Sequence, residues 1–180
     1  MMTTALWLLL VQGVLGAFDT LYYHEWRARL PAGGAHSRPE LLLHAARDFV
    51  YAALFGTLGW VAWRGAWGTV LLLLVGAEIV ITLADFAIED RVRVPLGGVF
   101  TGERTTHTLM AIVYGAFLAH FLPSAWMDAH CATGFVSRAT PTTLRLCLTG
   151  MGAGVLLSGI RDLYAALEWP GGRWPWSAWR

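Results

Sequence analysis

The chain has no lysine. All thirteen of its basic residues are arginine, set against twelve acids, and the formal net charge is only +1. That balance gives no basic surface for a nucleic-acid partner. Charge is scarce altogether, at 14% of residues, where a soluble domain carries about 25%. Cysteine is scarce too: Cys131 and Cys147 stand in no ligand motif, which excludes both a zinc ribbon and a disulfide framework. Ser-His-Asp spacing, a phosphate loop and a dinucleotide fingerprint are all missing, as are internal repeats and low-complexity stretches. What remains is apolar. Hydrophobic residues make up 56% of the 180, enough for a single domain, and mean hydropathy is +0.52.

Apolar runs long enough to cross roughly 30 Å of hydrocarbon predict five transmembrane helices, at about 3–23, 40–63, 67–90, 103–122 and 142–168. The expected fold is an all-α integral membrane bundle. A signal peptide is the competing reading of the first run, but it lacks a basic n-region and Asp19 follows at once. Ser37 and Glu40 form a capping box with Pro39 in the first turn. Arg64 to Gly68 make a tight turn, Pro123 ends the fourth helix, and Thr140-Pro141 caps the fifth. The loops joining helices one to two and three to four hold Arg27, Arg29, Arg38, Arg91 and Arg93, and the tail WPGGRWPWSAWR adds Arg173 and Arg180. The opposite loops hold only Arg64 and Arg138. The positive-inside rule then puts the N-terminus outside and the C-terminus in the cytoplasm, in the inner membrane of a bacterium.

The organising stretch runs from Gly76 to His107. Glu78, Asp85 and Glu89 interrupt an otherwise apolar helix. At 100° per residue, Asp85 lies about 20° from Glu78 and Glu89 about 40° further round, so three carboxylates share one stripe. The next helix opens with Glu103 and His107, one turn apart. Glu40 and His44 repeat that spacing on helix two, followed by Asp48, and Asp19, His24 and Glu25 end helix one. With Asp90 counted and Glu78 left out, eight of the twelve acids and three of the six histidines thus fall near one interface. Antiparallel helices roughly 8–10 Å apart bring these groups into one polar layer of a four-helix core. Charges at helix ends also snorkel into headgroups or complement the macrodipole, and Glu25, Asp90 and Glu40 fit that simpler role. Asp85, Asp48 and His107 lie deeper and Glu78 is near mid-helix, where ionisable groups are costly and usually functional. Arg161 is placed to neutralise Glu78 or Asp85 in a purely structural ion pair.

The candidate metal ligands are Asp19, His24, Glu40, His44, Asp48, Asp85, Glu89, Glu103 and His107. Glu78, Arg47, Tyr51, Tyr114 and Arg161 surround them. Many oxygens with a few imidazoles suit iron or manganese better than zinc. Helix-bundle dinuclear sites use Glu-x-x-His pairs; here the spacing is Glu-x-x-x-His, which also keeps both side chains on one face. The set points to a diiron oxidoreductase acting on a lipophilic substrate (a lipid, isoprenoid or quinone) and supplied by an electron donor. A small b-type cytochrome is the alternative, with haem b between His44 and His107 and Arg27, Arg47 or Arg104 at its propionates. A metal carrier or structural membrane protein is a third, with Gln12, His120 and Thr149 continuing a polar path past Glu78. His36 reads as a solvated loop residue, and Asp128, His130 and Cys131 as a weak external ligand set. The motifs HEW, HAARD, TLADFAIED and ERTTH, as a set, resemble uncharacterised multi-pass bacterial membrane proteins. The resemblance covers the first four helices and implies a shared site, with no assigned activity.

Overall fold

A computed structural model describes residues 1–176. The tail's Arg180, counted above with the cytoplasmic arginines, lies outside them. Among the described residues five α-helices make the fold: α1 (Met2–Phe18), α2 (Arg38–Leu58), α3 (Ala66–Arg93), α4 (Thr101–Ala129) and α5 (Thr142–Ala166). With the turns that extend some of them, all five are long and apolar enough to cross a membrane. Their outward faces are apolar as well: Leu73, Val80, Leu83, Ile112 and Leu157 are each more than 60% exposed. A helix apolar all round belongs in a core or in lipid. These residues are not in the core.

The helix ends differ from the sequence expectation for identifiable reasons. α2 stops at Leu58, because residues 61–64 form a short strand instead. That strand, β1 (Val61–Arg64), pairs antiparallel with β2 (Gly134–Ser137) and ties the loops at one end of the bundle. α4 runs straight through Pro123 to Ala129; apolar surroundings penalise a broken backbone more than one lost hydrogen bond, so membrane helices tolerate proline. The Ser37 capping box does not form. Ser37 Oγ is buried without a partner among the described residues, and Glu40 turns inward to Arg93. Pro141 itself occupies the cap position of α5. α1 continues as a π-helical segment, Asp19–Arg27, where the Ala28 N–H donates to the Tyr23 carbonyl five residues back.

The half of the bundle nearest the ribbon is an ordinary apolar core, with Leu9, Leu54, Leu58, Phe117, Phe121, Leu144 and Leu148 fully or almost fully buried. α2 and α5 pack most intimately there and beyond, through Gly152 and Gly159. A Cβ at Gly152 would lie 3.0 Å from the Gly56 amide nitrogen, and one at Gly159 only 2.9 Å from Asp48 Cβ. Small residues allow such close helix approach in membranes. At the other half, the apolar core gives way to charge.

Candidate metal centre

The π-helical turn explains how the end of α1 contributes two side chains. In an α-helix, residues five apart point about 140° away from each other. In a π-helix they stack one turn apart, and Asp19 Oδ2 accordingly lies 3.2 Å from His24 Nε2. The same Asp19 oxygen lies 3.2 Å from His107 Nε2 on α4. His24 Nε2 is also 3.3 Å from Glu103 Oε1, and His107 Nδ1 is 3.7 Å from Glu89 Oε2. His24, Glu89, Glu103 and His107 each offer a ligand atom, all within 4.8 Å of one another. These four are a possible ligand set for one metal ion.

A second group, Glu40, His44 and Asp85, converges in the same way. His44 Nε2 is 3.1 Å from Asp85 Oδ2 and 3.9 Å from Glu40 Oε1. The two groups touch through the His24 and His44 rings, stacked with centroids 4.7 Å apart. Their electrostatics differ. Arg93 Nε meets Glu40 Oε1 at 2.7 Å, and Arg47 meets Asp85 Oδ2 at 3.1 Å, so the second group's carboxylates already have arginine partners. Arg93 reaches the first group only by one edge, 3.1 Å from Glu103 Oε1.

Charge is not balanced across the layer. Asp19, Glu40, Asp48, Glu78, Asp85, Glu89, Glu103 and Asp162 are all buried. Against them stand Arg93, Arg47 and three histidines; even with every imidazole protonated, the carboxylates are in excess. Asp19 Oδ1, Glu40 Oε2 and Asp85 Oδ1 are moreover buried with no hydrogen-bond partner among the described residues. Buried charge needs protons, a cation or water around it.

Two residues of this layer escaped the sequence reading. Arg93, assigned above to a cytoplasmic loop, is fully buried between Glu40 and Glu103. It lies four residues beyond Glu89, one more step along the stripe already marked by Glu78, Asp85 and Glu89, and ending the helix at residue 90 hid it. Asp162 on α5 is also buried, with Oδ2 3.8 Å from His44 Nδ1, on the ring edge away from Asp85. It falls on the Leu144, Leu148, Gly152, Gly159 face of α5, which was the available signal. The polar layer therefore draws on all five helices rather than on the four expected.

Several expected roles move. Asp48 is buried against α5 and lines a cavity with Asp19 and Arg47, outside both ligand groups. Arg161 does not reach Glu78 or Asp85. It pairs with Glu25 at 3.6 Å and donates to the Gly172 and Trp174 carbonyls, pinning the C-terminal turn to α5. Glu78 instead accepts from Thr82 Oγ1 at 2.8 Å. His36 is exposed but bonded, Nε2 lying 2.9 Å from the Val92 carbonyl. Asp128, His130 and Cys131 do not converge: Asp128 pairs with Arg64 at 3.2 Å, while His130 Nδ1 bonds the Trp126 carbonyl. A haem held between His44 and His107 would require both Nε2 atoms to leave Asp85 and Asp19.

No family model, curated protein or solved structure matches the chain. The geometry alone carries the site.

Proposed function

We propose that this chain is a membrane-embedded, metal-dependent oxidoreductase acting on a lipophilic substrate. The observation that carries the reading is the convergence of His24, Glu89, Glu103 and His107 on one point within a buried layer rich in carboxylates. Two imidazoles with two carboxylates suit iron or manganese. Bound there, such an ion supplies one-electron redox chemistry and a Lewis-acid position. The chain's own residues hold and orient it. Asp19 grips the Nε2 side of His107, as carboxylates behind metal-bound imidazoles do, and Asp162 lies behind His44 in the same relation. Arg93 and Arg47 anchor the carboxylates that surround the ligands. A second ion at Glu40, His44 and Asp85, making the centre dinuclear, requires those two arginines to move; the four-residue group is the primary site. Two cavities, of about 280 and 140 Å³, open beside Asp19 and are walled largely by apolar side chains. They supply access for a substrate entering from lipid.

In this reading the protein sits in the bacterial cytoplasmic membrane, with the centre near the cytoplasmic face and an electron donor docking there. The arginine asymmetry of the loops supports that orientation. The experiment is to purify the full chain, measure its metals, and follow oxidation of added iron(II) by dioxygen in wild type and His107→Ala. The reading expects about one equivalent of iron or manganese per chain and an oxidation rate in the wild type that the variant loses. A protein that holds only zinc, or no metal, ends the oxidoreductase reading.

A further inference from the structure

The larger cavity, about 280 Å³, extends from Asp19 and Arg47 to Gly115 and Leu118 at the outer surface between α3 and α4. Its far end has a polar set of its own. Glu78 lies seven residues before Asp85 on α3, about 10 Å deeper along the helix, and is 1% exposed. Thr82 satisfies one of its oxygens; Oε2 has no partner. Gln12 Oε1, on α1 and 95% buried, and the Tyr114 hydroxyl, on α4, are likewise buried and unpaired. All three residues line this one cavity. None belongs to the metal ligand groups.

Unpaired polar atoms in the middle of membrane-spanning helices are costly, so a ligand, water, or a small shift of the Tyr51 and Tyr114 hydroxyls that face Glu78 must complement them. Glu78 and Gln12 offer acceptor oxygens and Tyr114 offers a donor, which is the complement of a hydroxyl group. Aromatic rings flank the spot: Tyr51 and Tyr114 have centroids 6.2 Å apart, and Tyr114 packs on Phe117 at 5.6 Å. The volume falls just below the roughly 300 Å³ at which small-molecule sites begin, room for one ring with its tail outside. At the mouth, a Cβ on Gly115 would meet nothing within 4 Å. We propose that this cavity binds the hydroxylated aromatic head of a lipophile, a phenol or quinol, with the hydroxyl among Glu78, Gln12 and Tyr114 and the tail leaving past Gly115. This gives the lipophilic substrate a chemical class, but it rests on the cavity and not on the metal. Ordered water can satisfy the same atoms and is the rival explanation.

The test titrates the full chain in detergent, stripped with chelator, with 4-nonylphenol and with nonylbenzene, by calorimetry. One saturable site per chain is expected, about tenfold or more in favour of the phenol, because a site built around a hydroxyl rejects the analogue lacking it. Tyr114→Phe and Gln12→Leu should each weaken phenol binding roughly three- to tenfold and leave nonylbenzene unchanged. Gly115→Leu, whose Cβ has open space at the mouth, should abolish both. Phenol binding should be the same in wild type before and after chelator treatment, so it survives even if the metal centre does not exist. Equal affinities for the two ligands, no saturable site, or phenol binding unchanged in both Tyr114→Phe and Gln12→Leu would overturn the proposal in favour of water.

Discussion

The two ends of the bundle both carry acids beside arginines, and they use them differently. At the ribbon end, Asp128 meets Arg64 at 3.2 Å and Arg138 at 3.7 Å, one acid between two cations at a part-exposed loop. Burial lowers the Arg138 guanidinium from its ordinary value, Asp128 offsets this, and the residue stays charged. At the other end, eight carboxylates are buried among two arginines and three histidines, with several ligand-type atoms unpaired. Ion pairs close to charge balance need nothing further. A buried excess of carboxylate, with imidazoles turned into it, needs protons, a cation or water. The difference lies in burial and balance, since a charged helix end alone describes both.

Breaking the excess end should be the most damaging change. Arg93→Met leaves Glu40 and Glu103 buried without their counter-charge and should cost about 3–5 kcal/mol in denaturant unfolding; adding Glu40→Gln should recover part of it. Full stability in Arg93→Met would mean that this arginine holds nothing together. Gly159→Val comes next. Its side chain has no room against Asp48 and the Ala45 carbonyl, and overpacking of this kind costs about 1–3 kcal/mol, read as a lowered thermal midpoint. Asp19→Asn should weaken metal affinity about tenfold to a hundredfold, the effect of removing a carboxylate behind a metal-bound imidazole, here His107. Unchanged affinity would make Asp19 a bystander. Smallest of all, Asp128→Asn at the balanced end should shift stability by no more than about 1 kcal/mol and leave metal content as it was.

The five spans were legible because membrane helices must be long and continuously apolar, a signal that survives errors at the ends. The ends themselves were not. Pro123 looked like a stop, yet lipid leaves the backbone no better option than helix. Glu40 with His44 and Glu103 with His107 were legible as pairs, since four residues make one turn. Which groups meet across helices was not. His24 joins Asp19 only through a π-helical turn that no local pattern announces, and Arg93 looked like a topogenic loop charge until α3 proved one turn longer. Asp162 was missed for a third reason: its face of α5 was legible, but its neighbour His44 is more than a hundred residues away, brought close by Gly152 and Gly159.

We propose that a metal ion at His24, Glu89, Glu103 and His107 neutralises the buried carboxylates and thereby holds the helices together. The most direct measurement is the thermal midpoint of metal-loaded wild type and of His107→Ala, each with and without chelator. An ion that binds only the folded chain stabilises by about 2.7 kcal/mol at a hundredfold excess over its Kd. Chelator should therefore lower the wild-type midpoint by several degrees and leave His107→Ala, already lower, unchanged. A wild-type midpoint that stays put in samples shown to have lost their metal would contradict the account.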